Sequence, residues 1–114
     1  MASGAMTAAE KGRRARLAAL VRGAPLLRGT LSLRRVTCGK PTCRCARGEK
    51  HPALYLTSRR QGRVHQLFVP AALASQARQA VANYHEVQGL LERLSQIHWE
   101  KLSRAKRQAR RRTV

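Results

Sequence analysis

The sequence predicts an α+β fold: a small three-stranded antiparallel sheet with a cysteine-rich loop, an N-terminal helix and a long C-terminal helix. Two observations support this. Three short runs, at 30–37, 53–59 and 63–69, have the residue pattern of strands, and the last two flank a glycine-containing turn. On either side of these runs, apolar residues recur at the spacing of an amphipathic helix. At 114 residues the chain is long enough for one such domain.

The first element is a helix over about residues 8–21. Thr7 and Glu10 have the spacing of a capping box, in which the two residues close the first turn of a helix. Apolar residues follow on one helical face, and Gly23 and Pro25 end the element.

The three strands come next. In TLSLRRVT (30–37) polar and apolar residues alternate at first, which places its leucines on the inner face of a half-buried strand. The runs ALYLTSR (53–59) and RVHQLFV (63–69) flank a short turn that contains Gly62. This arrangement predicts a β-hairpin.

Pro70 suits the first position of a helix, and the apolar residues after it recur at alternating spacings typical of a heptad seam. The seam consists of Leu73, Ala77, Ala80, Tyr84, Val87, Leu91 and Leu94. We expect the helix to continue to about Leu102, a length of roughly 50 Å, which is more than a three-stranded sheet covers. Its far half therefore needs the N-terminal helix, a second copy of the chain or a foreign partner, and the seam does not choose among them.

The charge balance predicts a polyanionic partner. Lys and Arg number 24 against 5 acidic residues, which gives a formal net charge of +19 and a pI near 11.9. Most of these cations are Arg, which favours nucleic acid over an acidic membrane. No apolar run approaches the roughly 20 residues of a membrane span, so we expect a cytoplasmic, nucleoid-associated protein. We expect a basic helix and linker over 1–27, a core domain over 28–103 and a basic tail over 104–114, whose basic run is either a tail or an extension of the long helix.

All three cysteines and one histidine lie in one short run with the spacing C-x4-C-x-C-x5-H. Cys38, Cys43, Cys45 and His51 form a Cys3His set of the kind that holds structural Zn2+. His65 is the alternative fourth ligand. A redox pair and free structural cysteines are the competing interpretations of the thiols.

The acidic residues argue against an enzyme. All five are Glu, and the chain has no Asp to serve a carboxylate two-metal site or to orient a catalytic histidine. A zinc ion saturated by four protein ligands also leaves no open position for hydrolysis. We therefore expect a binding protein.

The segments RGTL (28–31), CGKPTCRCARGE (38–49) and HPALYLTSR (51–59) are similar to the signature of a small uncharacterised bacterial family, RG-S/T-L followed by C-G-K-P-x-C-x-C-A-R-G. The resemblance covers about residues 28–94. It implies a basic hairpin, a helix and a gene setting near transposases, but no mechanism. The chain departs from the family where Ala53 and Leu54 replace aromatic residues. The order of strand, turn, strand and helix also resembles the arm-site-binding domains of phage-type integrases, whose sheet enters the major groove of DNA.

These observations together predict a zinc-stabilised nucleic-acid-binding protein, with duplex DNA as the expected partner and an accessory role in a mobile element. The expected contacts are basic residues of the first strand, the cysteine loop, the hairpin and the tail: Arg34, Arg35, Lys40, Arg44, Arg47, Arg59, Arg60, Arg63, Arg104, Lys106, Arg107, Arg110, Arg111 and Arg112. One alternative is a subunit that docks on a transposase, a recombinase or its own copy through the helix from Leu73 to Leu102. The other alternative is an RNA-binding protein.

Overall fold

A computed structural model of the chain describes residues 5–37, 39–42, 44, 48 and 50–113. The elements are α1 (Ala8–Gly23), β1 (Thr30–Val36), β2 (His51–Arg60), β3 (Arg63–Val69) and α2 (Ala74–Thr113), with a 3-10 turn at Ala71–Leu73. The fold is α+β with an N-terminal helix, a three-stranded antiparallel sheet and a long C-terminal helix, as predicted. In the described part of the chain, no helix combines the length and the apolar character needed to cross a membrane.

The chain divides into two compact units. The sheet unit is Pro25–Tyr84 and contains the three strands with the first part of α2. The helical unit combines the chain up to Ala24 with the chain from His85 onward, and so contains α1 and the remainder of α2.

The sheet has the strand order β1-β2-β3, and both neighbouring pairs are antiparallel. Successive side chains of a strand alternate between faces, so Leu54 and Leu56 share one face of β2. That face packs on the start of α2, where Ala77 and Val81 complete a buried cluster with Val69 of β3. The leucines of the half-buried first strand were expected to face inward, but only Leu31 packs against this cluster, whereas Leu33 is 66% exposed.

The segment that leads into β1 is attached to α2 by two hydrogen bonds. The Leu27 backbone N–H donates to the carbonyl of Ala80 at 3.1 Å. The side-chain amide of Asn83 donates to the carbonyl of Pro25 at 3.0 Å. Asn83 is buried, and its own carbonyl oxygen accepts from Gln79 at 2.9 Å, so its polar group is satisfied within the sheet unit.

In the helical unit, α1 begins at the predicted cap: Thr7 Oγ1 accepts from the Glu10 backbone N–H at 3.1 Å. Glu10 forms an ion pair with Lys101, and Arg16 forms one with Glu86. Rising residue numbers in α1 thus meet falling numbers in α2, which defines an antiparallel helix pair. Leu20, Val87, Leu90 and Leu94 are its buried apolar side chains. Of the three surfaces left open by the sequence, the N-terminal helix is the one that meets the far half of α2.

The helical register differs from the predicted seam in two places. Leu73 and Leu91 of the predicted seam are 47% and 51% exposed, whereas Val81 and Leu90, which lie outside it, are buried. The helix also extends beyond the expected end near Leu102 to Thr113. A single heptad seam describes packing against one partner, but α2 packs on a sheet in one unit and on a helix in the other.

Candidate nucleic-acid interface

The sheet has a second face, opposite the one that packs on α2, which we call the open face. The strand register places on it Ser32 and Arg34 of β1, Tyr55, Thr57 and Arg59 of β2, and Val64, Gln66 and Phe68 of β3. Hydroxyl, amide, guanidinium and aromatic groups therefore lie side by side, which is a suitable mixture for contacts to base edges and phosphates.

Arg34 is held in place by two neighbours on the open face. Its guanidinium carbon lies 4.8 Å from the centroid of the Tyr55 ring, within cation–π distance. Its Nη1 atom donates to the side-chain oxygen of Gln66 at 3.5 Å. Stacking and hydrogen bonding restrict the rotamers that the Arg34 side chain can adopt.

The aromatic pair beside Arg34 is also partly exposed. The Tyr55 and Phe68 rings lie 5.8 Å apart with an interplanar angle of 63°, an edge-to-face arrangement. Phe68 is 52% exposed. An apolar ring presented next to a fixed guanidinium offers contact area to a thymine methyl group or to an unpaired base.

The hairpin between β2 and β3 ends in three exposed arginines. Arg60 pairs with Arg63 across a two-residue turn, in which Gln61 and Gly62 have φ angles of 53° and 75°. Positive φ at both positions is the type I′ geometry that suits the twist of a tight hairpin. Arg59, one residue before this pair, lies on the open face, whereas Arg60 and Arg63 lie on the other face.

A second basic surface lies at the opposite end of the sheet. Arg35, Arg44, Lys50 and His51 line a depression of about 550 Å³ together with Gly48. Arg35 is next to Arg34 in sequence, but alternation turns it to the other face of β1. The expected basic contacts that the structure describes in the sheet unit are thus distributed over two faces and two ends of the sheet.

The metal-site prediction lies mostly outside the described residues. Cys38, Cys43 and Cys45 are not among those residues, nor is Arg47 of the expected nucleic-acid contacts, whereas Lys40 is described and exposed. Within the described part of the chain, no group of three or more His, Cys, Asp or Glu side chains has the geometry to hold a metal ion.

The two candidate histidine ligands lie far apart. His51 pairs with Val36, so it starts β2 directly across from the end of β1, where the cysteine loop begins. His65 pairs with Ser58, near the hairpin turn. Since Ser58 follows His51 by seven positions, about 23 Å separate these two points of the strand. His51 therefore lies at the end of the sheet where the loop with the cysteines begins, whereas His65 lies at the opposite end.

The remaining predicted contacts are in the helical unit. Arg104, Lys106, Arg107, Arg110, Arg111 and Arg112 lie in the last turns of α2 and are exposed. These residues are part of the continuous helix α2, so their side chains are distributed around the helix axis.

Acidic residues are absent from the described part of the sheet unit. Four of the five glutamates of the chain, Glu10, Glu86, Glu92 and Glu100, lie in the helical unit. Two of them, Glu10 and Glu86, are ion-paired there. The described cations of the sheet unit therefore have little acidic compensation within that unit, which strengthens the positive potential on its surface.

Sequence reasoning missed Gln66 and the Tyr55–Phe68 pair as members of the interface. The signal was present: a two-residue turn after Arg60 fixes the hairpin register, and that register places Tyr55 opposite Phe68 and Thr57 opposite Gln66. The position of Arg34 next to these side chains could not be predicted from the turn. It depends on the pairing of β1 with β2, and the cysteine loop separates β1 from the hairpin in sequence.

The architecture is that of a small α+β protein with a basic sheet. The chain belongs to the family described as Domain of unknown function (DUF6788), which it matches over residues 7–79. The matched segment contains α1, the whole sheet and the start of α2, so it begins earlier and ends earlier than the resemblance at about residues 28–94. No curated protein and no solved structure matches the chain.

Proposed function

We propose that the protein binds nucleic acid through its sheet unit and that duplex DNA is its preferred partner. The observation that supports this most strongly is the open face, where the fixed guanidinium of Arg34 lies beside Gln66 in a unit whose described residues include no acid. Arg bonds the O6 and N7 atoms of guanine together, and Gln bonds the N6 and N7 atoms of adenine. The open face thus carries side chains suited to reading a major groove.

In this proposal the arginines at the hairpin end contact phosphates. Arg59, Arg60 and Arg63 are exposed and lie on both sides of the hairpin. When a three-stranded sheet lies in the groove, the end of its hairpin approaches the backbone of one strand. The basic end of α2 adds contacts that do not depend on sequence, and these raise affinity for any duplex.

We also propose a structural Zn2+ bound by Cys38, Cys43, Cys45 and His51. The position of His51 across from the end of β1 supports the histidine as a member of the set. A metal held there would join the two ends of the cysteine loop and so stabilise the pairing of β1 with β2. It would act on the fold of the interface and would contribute no catalysis.

RNA is the alternative partner that one observation favours. Phe68 is half exposed next to Tyr55, and single-stranded or looped RNA is recognised by stacking of bases on aromatic rings. Docking on a transposase through the helix from Leu73 to Leu102 has less support, because Val87, Leu90 and Leu94 are buried within the helical unit.

The test is fluorescence anisotropy with duplex DNA, single-stranded DNA and structured RNA over a series of salt concentrations. The test variant carries Arg34→Ala and Gln66→Ala, which remove the two side chains proposed to contact bases. The control, Arg93→Ala, removes one exposed cation of the helical unit. We expect duplex DNA to bind best and the double substitution to weaken its binding by at least about tenfold, against about twofold for the control.

Two outcomes would reject the proposal. If all three nucleic acids bind equally and the double substitution behaves like the control, the charge of the chain attracts polyanions without an interface. If structured RNA binds best, the open face serves RNA instead. Circular dichroism of each variant separates loss of binding from loss of folding.

A further inference from the structure

We infer that two copies of the chain associate through the outer edges of their β3 strands and form one continuous antiparallel sheet. The inference depends on the edge geometry of β3 and does not depend on nucleic-acid binding.

The outer edge of β3 has hydrogen-bonding groups to offer. In the strand order β1-β2-β3, this strand has one neighbour. Arg60 and Arg63 close the two-residue turn and are therefore a hydrogen-bonded pair, so the groups directed outward belong to Val64, Gln66 and Phe68. Among the described residues, the backbone hydrogen bonds made outside helices and strands involve none of these three. Such an edge is a template for another strand.

The side chains along β3 are unusually apolar for an exposed edge. Every residue from Arg63 to Phe68 is exposed. Val64, Leu67 and Phe68 are 54%, 62% and 52% exposed. Natural edges are protected by bulges, prolines or charged side chains, but the β2–β3 pairing has no bulge, the strand contains no proline, and its one Arg or Lys, Arg63, lies at the hairpin end.

A second copy fits this edge because the strand is complementary to itself. When two β3 strands pair antiparallel about Gln66, Val64 of each copy lies opposite Phe68 of the other. On the other face, His65 lies opposite Leu67 of the other copy. All three outward-directed residues then fall in register as hydrogen-bonded positions, and cross-strand pairs of aromatic with β-branched side chains are favourable.

Charge also favours this geometry over a parallel one. In the antiparallel arrangement Arg63 lies opposite Val69 of the other copy, so the two arginine-rich hairpin ends are about 20 Å apart along the strands. That separation exceeds the Debye length of about 8 Å at physiological salt, so their repulsion is largely screened. A parallel pairing would bring the two ends together.

The other face of β3 has room for the second strand. A groove of about 700 Å³ runs along β3 between Leu67 and Leu73 and reaches Leu27. It lies entirely within the sheet unit, and Gln76, Ala77 and Ala80 of α2 form part of its lining. Side chains of the second copy on this face would cover Leu67, which has the highest exposure of the three apolar side chains on the edge.

The net charge of +19 predicts an unusual salt dependence. Two such chains repel each other, so screening by salt strengthens their association, whereas nucleic-acid binding weakens with salt because bound counterions are released. The two salt trends have opposite signs. The salt dependence therefore distinguishes a failure of the dimer inference from a failure of the proposed nucleic-acid binding.

The experiment is sedimentation equilibrium of the full chain at low and high salt. We expect a monomer–dimer equilibrium that shifts toward the dimer as salt rises. The substitution Phe68→Lys should raise the dissociation constant of the dimer by about tenfold or more. The control Val21→Lys introduces the same charge at an exposed apolar position of α1 and should leave the dimer unchanged.

A second variant gives a positive signal that does not depend on loss of association. In the proposed pairing the two Gln66 residues face each other as a hydrogen-bonded pair with Cα atoms about 5.5 Å apart, a distance that a disulfide spans. Mild oxidation of Gln66→Cys should therefore give a covalent dimer, whereas Gln61→Cys at the turn should not. Peptide mapping must assign the link to the introduced thiols. A monomer at all concentrations and salts, or equal cross-linking of the two variants, would overturn the inference.

Discussion

The carboxylate of Glu10 in α1 and the ammonium of Lys101 in α2 lie 3.2 Å apart, and the Glu10 side chain is only 1% exposed. Arg14 Nε donates to the same carboxylate at 3.0 Å, and His98 Nε2 lies 3.3 Å from it. A buried carboxylate is tolerated because charged and polar partners replace the water that it loses. This cluster connects the start of α1 to a point of α2 that is ninety-one positions away in sequence.

Removing the charge of Glu10 should destabilise the helical unit. Glu10→Gln leaves the side chain near Arg14 and Lys101 without the carboxylate that compensates them. We expect a lower midpoint of thermal unfolding, measured by circular dichroism at a helical wavelength. Glu92→Gln, an exposed position on α2, is the matched control and should have little effect. Equal effects of the two substitutions would contradict the role of the cluster.

The stability of the helical unit should fall with acid. The hydrogen bond from Arg14, helped by Lys101, holds the pKa of Glu10 below its ordinary value of 4.5, and Arg16 lowers the pKa of Glu86 in the same way. Groups with a depressed folded pKa stabilise the native state above the unfolded pKa, and this contribution disappears as pH falls through the folded pKa. Unfolding midpoints should therefore be level near neutrality and decline below about pH 4.5. Glu10→Gln should make this decline shallower, and an unchanged profile would refute the assignment.

Gly29 should tolerate no side chain. A Cβ atom at this position would lie 2.8 Å from the backbone oxygen of Thr57 and 2.8 Å from the Leu56 side chain. Gly29→Ala should therefore destabilise the sheet unit by about 1–3 kcal/mol. Gly89→Ala is the opposite case, because nothing lies within 4 Å of the added atom and the residue is inside α2. It should stabilise the protein by about 0.5–1 kcal/mol in chemical denaturation.

Zinc binding should depend on one histidine and not on the other. If the cysteine loop binds one Zn2+ per chain, His51→Ala should weaken metal retention in a chelator competition, because His51 lies across from the end of β1. His65→Ala, near the hairpin turn, should leave it unchanged. Elemental analysis measures the metal content, with Cys43→Ser as the variant expected to lose it. A fully folded, metal-free protein in strong chelator would reject the site.

The hairpin arginines should set part of the salt dependence of DNA binding. Arg60→Gln with Arg63→Gln removes two exposed cations, and each lost phosphate contact lowers the slope of log affinity against log salt by about one. Arg78→Gln removes an exposed cation at the start of α2, on another element of the sheet unit. We expect the slope to change for the hairpin and to stay the same for Arg78. An identical loss at both sites would indicate a diffuse charge effect.

Local patterns predicted most of the secondary structure. The alternation of 30–37 and the short turn with Gly62 were sufficient to predict β1 and the hairpin, because strand faces and turn dihedrals are properties of neighbouring residues. The capping residue Thr7 likewise marked the start of α1. The sequence placed the end of α2 near Leu102 and left the basic residues after it as a tail or a helix extension, and in the structure they continue the helix to Thr113.

Pairings between distant segments required the tertiary structure. Nothing near Glu10 indicates that its carboxylate binds Lys101, because the capping-box spacing explains the residue by itself. Leu91 belongs to the predicted heptad seam and Leu90 does not, yet in the structure Leu90 is buried and Leu91 is 51% exposed. Which cation stacks on Tyr55 depended in the same way on the pairing of β1 with β2.

The sequence by itself determined the α+β class, the order of the elements and a net charge of +19, because composition and residue periodicity act locally or sum over the chain. The tertiary structure alone decided that Arg34, Gln66, Tyr55 and Phe68 share one face, that His51 and His65 lie at opposite ends of the sheet, and that β3 has an exposed apolar edge. These relationships depend on strand register and on the packing of α2, where residues far apart in sequence become neighbours.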